Sequence, residues 1–141
     1  MKRLSTIPLL FCFVLWFTGC EKTALNHEMG DTATLDFHDV ASFDDNGSAV
    51  TIKFVDLIED SRCPRTANCI WAGRVVVEFS VNDATPLILG MGNLTAGTDV
   101  PYRRVDTIGN HRFELMEASM GADHNQGEAR QYTVAVKIDR I

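Results

Sequence analysis

Apolar and polar residues alternate with a period of two along most of this chain, a rhythm that predicts strands with one buried face. Ala33, Leu35 and Phe37 point one way, and Thr34, Asp36 and His38 the other. Asp44-Asp45-Asn46-Gly47 reads as a turn, because Asn-Gly accepts positive φ at little cost. Val50, Ile52 and Phe54 then alternate with Thr51 and Lys53, and the run continues to about Ile58. The clearest strand sets Val75, Val77, Phe79 and Val81 inward against Arg74, Glu78, Ser80 and Asn82. Residues 82–86 turn the chain into a short strand at Leu87–Leu89, and the Gly- and Thr-rich residues 90–101 read as loop. Tyr102–Ile108 is predicted as a strand joined by Gly109-Asn110 to a partner carrying Phe113 and Leu115. After a second loop over residues 119–129, Tyr132, Val134, Val136 and Ile138 line one face of the last strand. No stripe of period 3.6 competes with this pattern. The expectation is an all-β domain, an antiparallel β-sandwich of about seven strands with one short disulfide loop.

The N-terminus follows a different rule. Met1-Lys2-Arg3 is positive, and Leu4 to Phe17 is apolar apart from Ser5, Thr6 and the turn-prone Pro8. A positive start followed by an apolar run of this length is the layout of a secretory signal. The run is shorter than the roughly 20 residues a membrane-spanning helix needs. It ends at Phe17-Thr18-Gly19-Cys20, which resembles the lipobox of bacterial lipoproteins, two small residues before the cysteine that is kept. Phe17 departs from that pattern, where a branched aliphatic is commoner. The resemblance implies cleavage before Cys20 and a diacylglyceryl group, such as one carrying palmitate, on its thiol. Two or more acyl chains anchor a protein stably without spanning the bilayer. The expected organisation is therefore a signal over residues 1–19, a lipidated tether over 20–30, and the sandwich over 31–141. The expected location is the bacterial cell envelope, facing the periplasm or the exterior, with inner and outer membrane both open.

Removing residues 1–19 leaves 122 residues, enough for one domain with a sizeable core. The signal holds two of the 13 basic residues and none of the 19 acidic ones, so the remainder carries a formal charge of −8. Such a balance disfavours nucleic acid or an anionic lipid surface as a partner. Of the four cysteines, Cys12 leaves with the signal and Cys20 takes the lipid. Cys63 and Cys69 remain, and in an oxidising compartment they are expected to close one short disulfide loop. Two cysteines cannot complete a four-ligand zinc site, and no C-x-x-C redox motif is present.

The densest feature is Asp60-Ser61-Arg62-Cys63-Pro64-Arg65-Thr66-Ala67-Asn68-Cys69-Ile70-Trp71-Ala72-Gly73. Physically, a strand ends near Ile58, and a pinched loop stiffened by Pro64 presents Arg65, Thr66 and Asn68 at its tip. Trp71 is expected to pack over the sulfurs and cap the core, burying a large aromatic area. Gly73 suits a bulge or a close backbone approach. The stretch resembles a segment of small exported bacterial domains of unassigned activity, written D-S-R-C-P-x4-C-x-W-x-G. The resemblance implies a fold with Asp60, Arg62, Pro64, Trp71 and Gly73 as its structural motif, and it implies no catalytic residues. Ser119-Met120-Gly121 departs from it, since such domains often carry prolines before the final strand.

No residue stands in a recognisable catalytic or metal-ligating context. His27, His38, His111 and His124 lie outside G-x-S-x-G and H-E-x-x-H patterns. Asp44, Asp45 and Asn46 lack the spaced oxygens and closing Glu of a calcium loop, and Asp123 with His124 is only a pair. The expectation is a membrane-anchored lipoprotein whose non-catalytic sandwich, without cofactor, binds an envelope protein, a glycan or another envelope component. Arg65, Thr66 and Asn68 form its candidate binding loop. The alternative is an envelope enzyme or a protease-inhibitor-like protein acting through the Cys63–Cys69 loop. A His–carboxylate pair in a cleft would favour the enzyme, and an exposed aromatic patch would favour the binder.

Overall fold

The computed structural model describes residues 25–63, 68–94, 102–120, 129 and 132–141. Among them nine strands form two sheets. They are β1 (Leu25–Glu28), β2 (Thr32–Asp36), β3 (Val40–Asp45), β4 (Ser48–Asp60), β5 (Arg74–Val81), β6 (Thr85–Gly92), β7 (Val105–Ile108), β8 (His111–Met120) and β9 (Tyr132–Arg140). One sheet runs β1-β3-β4-β5-β6 and the other β2-β9-β8-β7. Their inner faces meet over a core that includes Phe43, Ile52, Phe54, Phe79, Leu89, Phe113, Leu115, Tyr132 and Ile138, each at most 1% exposed. The alternation thus places its apolar set as expected, and the all-β sandwich with one disulfide loop stands.

Two strands were not expected. β3 follows β2 after the corner Phe37–Asp39, and its Ala41 and Phe43 face inward. It is the partner that the Asn46-Gly47 turn requires, with Asp45 opposite Ser48 and both turn residues at positive φ. β1 lies inside the segment expected to be a tether, and it pairs with β3 in parallel, Leu25 opposite Ala41. The sandwich is therefore antiparallel except along that edge. Smaller differences concern strand ends. β6 reaches Gly92, β8 reaches Met120, and the strand expected from Tyr102 starts only at Val105. Bulges in the pairing of β4 with β5 and of β8 with β9 adjust the register near one end.

The two ends of the sandwich differ. At one, short turns follow β1, β3, β5 and β7, and Ile141 closes on the Asn110 carbonyl. At the other lie the corner between β2 and β3 and the three long connections, from β4 to β5, β6 to β7 and β8 to β9. β1 starts with its N-terminus directed toward this long-loop end, because it runs parallel to β3 and opposite to β4. The cysteine loop sits there, between the end of β4 and the start of β5.

Candidate functional site

The last residues of β4 build a latch across the two sheets. Asp60 Oδ1 accepts hydrogen bonds from the Arg62 backbone N at 3.0 Å and its Nε at 2.9 Å. Oδ2 accepts from Arg62 Nη2 at 2.6 Å and from Tyr132 Oη at 2.7 Å. Arg62 Nη1 donates to the Ala118 carbonyl at 2.6 Å, so the guanidinium is clamped between β4 and β8. The Asp60 side chain is only 2% exposed and that of Arg62 35%. Burial pushes the Asp60 carboxyl up, but the hydrogen bonds from Arg62 and Tyr132 outweigh it and hold the group below its ordinary value. The hydrogen bond to Asp60 in turn raises the Arg62 guanidinium, against the opposing effect of burial.

A second set of contacts joins the two strands that flank the loop. Ser61 N donates to the Arg74 carbonyl at 2.8 Å, and Arg74 N donates to Ser61 Oγ at 3.1 Å. Ser61 Oγ donates to Glu59 Oε1 at 2.9 Å, and Arg74 pairs with Glu59 Oε2 at 2.8 Å. The Arg74 hydrogen bond, ahead of the opposing effect of burial, holds the Glu59 carboxyl below its usual range. Arg74 also lies over the Tyr102 ring, 5.2 Å from its centroid, at cation–π distance. Gly73 is the tightest point. A Cβ there would stand 1.9 Å from the Ser61 carbonyl oxygen and 2.6 Å from Arg62 N, both backbone atoms. The expected close approach is present, and only glycine permits it.

Cys63 and Cys69 are joined, with Cα atoms 5.7 Å apart. Trp71 corrects the expectation placed on it. It is 63% exposed, and Ile70 beside it is 99% exposed. The indole therefore does not cap the core. The inward position at this end belongs to Tyr132, whose hydroxyl reaches Asp60, and the Gly73–Ser61 backbone contact closes the space beneath the loop. A shallow groove of about 370 Å³ runs beside the tryptophan, lined by Glu59, Ser61, Trp71, Ala72, Gly73, Arg74 and Asn93.

Of the residues singled out in the sequence, Asp60, Arg62, Cys63, Cys69 and Gly73 are brought together in one structural cluster at the loop end. Asn68 is exposed, as expected of a loop tip. Cys20, Pro64, Arg65 and Thr66 lie outside the described residues, as do Asp123 and His124. The period-two pattern places Tyr132 on the last strand but does not mark it as the partner of Asp60. The only signal for that role was its place in the inward register of the last strand.

One His–carboxylate pair does occur. His111 Nε2 and Asp45 Oδ2 are 3.0 Å apart, and Arg140 holds the other Asp45 oxygen at 3.0 Å. The trio ties β3 to β8 and β9 at the short-turn end, the opposite end from the cysteine loop. Among the described residues, no hydroxyl or thiol is hydrogen-bonded to that imidazole. Among the described residues no group of three or more His, Cys, Asp or Glu side chains is placed to hold a metal. No protein-family model, curated protein or solved structure matches the chain.

Proposed function

We propose that this chain is a lipoprotein of the bacterial cell envelope, anchored through Cys20, whose β-sandwich works by contact rather than by catalysis. The observation that carries the contact reading is the exposed pair Ile70 and Trp71. Large apolar side chains cost free energy in water and are held there here on a disulfide-closed, hydrogen-bonded frame. A loop fixed in this way loses less entropy on binding than a free one. The partner class is a component of the envelope, whether protein, glycan or lipid. Support for the anchor comes from the sequence, in the positive start, the apolar run and Thr18-Gly19-Cys20.

The test of the anchor is metabolic labelling with palmitate in cells producing the whole chain. Cys20→Ser should abolish labelling and leave uncleaved precursor. Equal labelling of mutant and parent would remove the lipoprotein reading.

A further inference from the structure

We infer that the long-loop end of the sandwich rests on the bilayer, with Ile70 and Trp71 seated in its interface. This deepens the lipoprotein reading and rests on it. Three observations lead there. The first is the direction of β1. Its N-terminus points toward the long-loop end, and only the five residue steps from Cys20 to Leu25 separate it from the lipidated residue. Fully extended, five steps span at most about 17 Å.

The second is the height of the loop end above that starting point. Leu25 pairs with Ala41, which pairs with Ile52. From Ile52, β4 climbs through eight further residues to Asp60, two of them absorbed by bulges. At about 3.3 Å per residue that is roughly 20–26 Å. The residues after Asp60 therefore stand several ångströms beyond the farthest point Cys20 reaches along this axis. When the acyl chains hold Cys20 at the lipid headgroups, with the sandwich upright, the loop end is carried into the interface. With the tether at full reach the required depth is about 3–9 Å, comparable to the roughly 5–10 Å to which interfacial apolar faces sink.

The third is the chemistry of the two ends. The short-turn end is also within reach of so short a tether; it exposes Asp31, Asp44 and Asp83 at its turns, with Arg140 and a single large apolar side chain, Ile141, beside them. The loop end exposes an isoleucine and a tryptophan, the aromatic residue favoured at headgroup level because its apolar ring carries a polar N–H. Behind them stand Arg74 over Tyr102, and the exposed Arg103, whose side chain makes no ion pair among the described residues. The Arg103 backbone stands at this end, its carbonyl accepting from Gly90 N. Arginine near an anionic headgroup adds attraction to apolar burial.

The processed chain provides its own probe. The sequence holds two tryptophans, Trp16 within residues 1–19 and Trp71, so Trp71 alone reports after cleavage. The lipidated protein is purified from envelopes, its mass is measured, and it is reconstituted into phosphatidylethanolamine–phosphatidylglycerol vesicles. Expected are a Trp71 emission shifted to shorter wavelength than in the protein released from its lipid, quenching by lipids brominated near the headgroup, and loss of iodide quenching. Ile70→Asp, at a fully exposed position, should reverse much of the shift without altering the fold. A mass lacking the lipid at Cys20 overturns the anchor reading, and this inference with it. A correct mass with Trp71 still open to iodide overturns the bilayer contact alone. Shielding of Trp71 in intact envelopes but not in vesicles also overturns it, and assigns the tip to a protein or glycan partner.

Discussion

Gly73→Ala tests the tightest point of the loop frame. The added methyl would lie 1.9 Å from the Ser61 oxygen, 2.3 Å from the Ser61 carbonyl carbon and 2.6 Å from Arg62 N. Ordinary contact begins near 3.4 Å, and none of these atoms belongs to a side chain that can swing aside. Relief therefore means moving the two backbones apart by about 1.5 Å. That displacement breaks the Ser61 N to Arg74 O and Arg74 N to Ser61 Oγ bonds and pulls on the Asp60–Arg62 hook one residue away. Overpacking costs about 1–3 kcal/mol, and two hydrogen bonds contribute about 0.5–1.5 kcal/mol each. The sum, about 2–6 kcal/mol, is a large part of a domain's 5–15 kcal/mol. For a domain of this size, each kcal/mol moves the melting temperature by about 3–5 °C. Thermal unfolding followed by circular dichroism, with the disulfide intact, should show a fall of about 6 °C or more. A variant melting within about 2 °C of the parent would refute the close-approach argument.

Trp71→Ala should change unfolding free energy by less than about 1 kcal/mol, because the side chain is mostly in water; a fall of 3 kcal/mol in denaturant titration would return the indole to the core. Asp60→Asn should cost about 2–3 kcal/mol at neutral pH by weakening charged hydrogen bonds to Arg62 and Tyr132. The Asp60 carboxyl has a lower pKa folded than unfolded, so its contribution is complete above about pH 5. As pH falls, the unfolded chain takes up the proton first, and stability is lost until the folded carboxyl is protonated too. The variant should accordingly show a shallower loss of stability between about pH 5 and pH 2, and parallel acid limbs would contradict it. Reducing Cys63–Cys69, six positions apart, should lower stability by roughly 2 kcal/mol in the chain-entropy account and leave the domain folded. Two free thiols counted in unreduced protein would rule the pairing out.

Local order in the sequence was enough for what depends on neighbours along the chain. Val75, Val77 and Phe79 face the core because period-two alternation leaves a strand only one way to bury its apolar set. Asn46-Gly47 turns where it should because the left-handed conformation is cheap for those two residues. Gly73 was legible as a close approach for a similar reason. What remained hidden depends on segments far apart in the chain. β1 has too few residues to carry a pattern, and its parallel seat on β3 is decided by the open edge that β3 offers. Asp60 meets Tyr132 across 72 positions, a contact that exists only after the two sheets have stacked. Trp71 sits between strands, where no periodicity assigns a face. A large aromatic there is buried only if another segment comes to cover it. Tyr132 fills the inward place, the Ser61–Gly73 backbone contact seals the space below, and the indole is left in solvent.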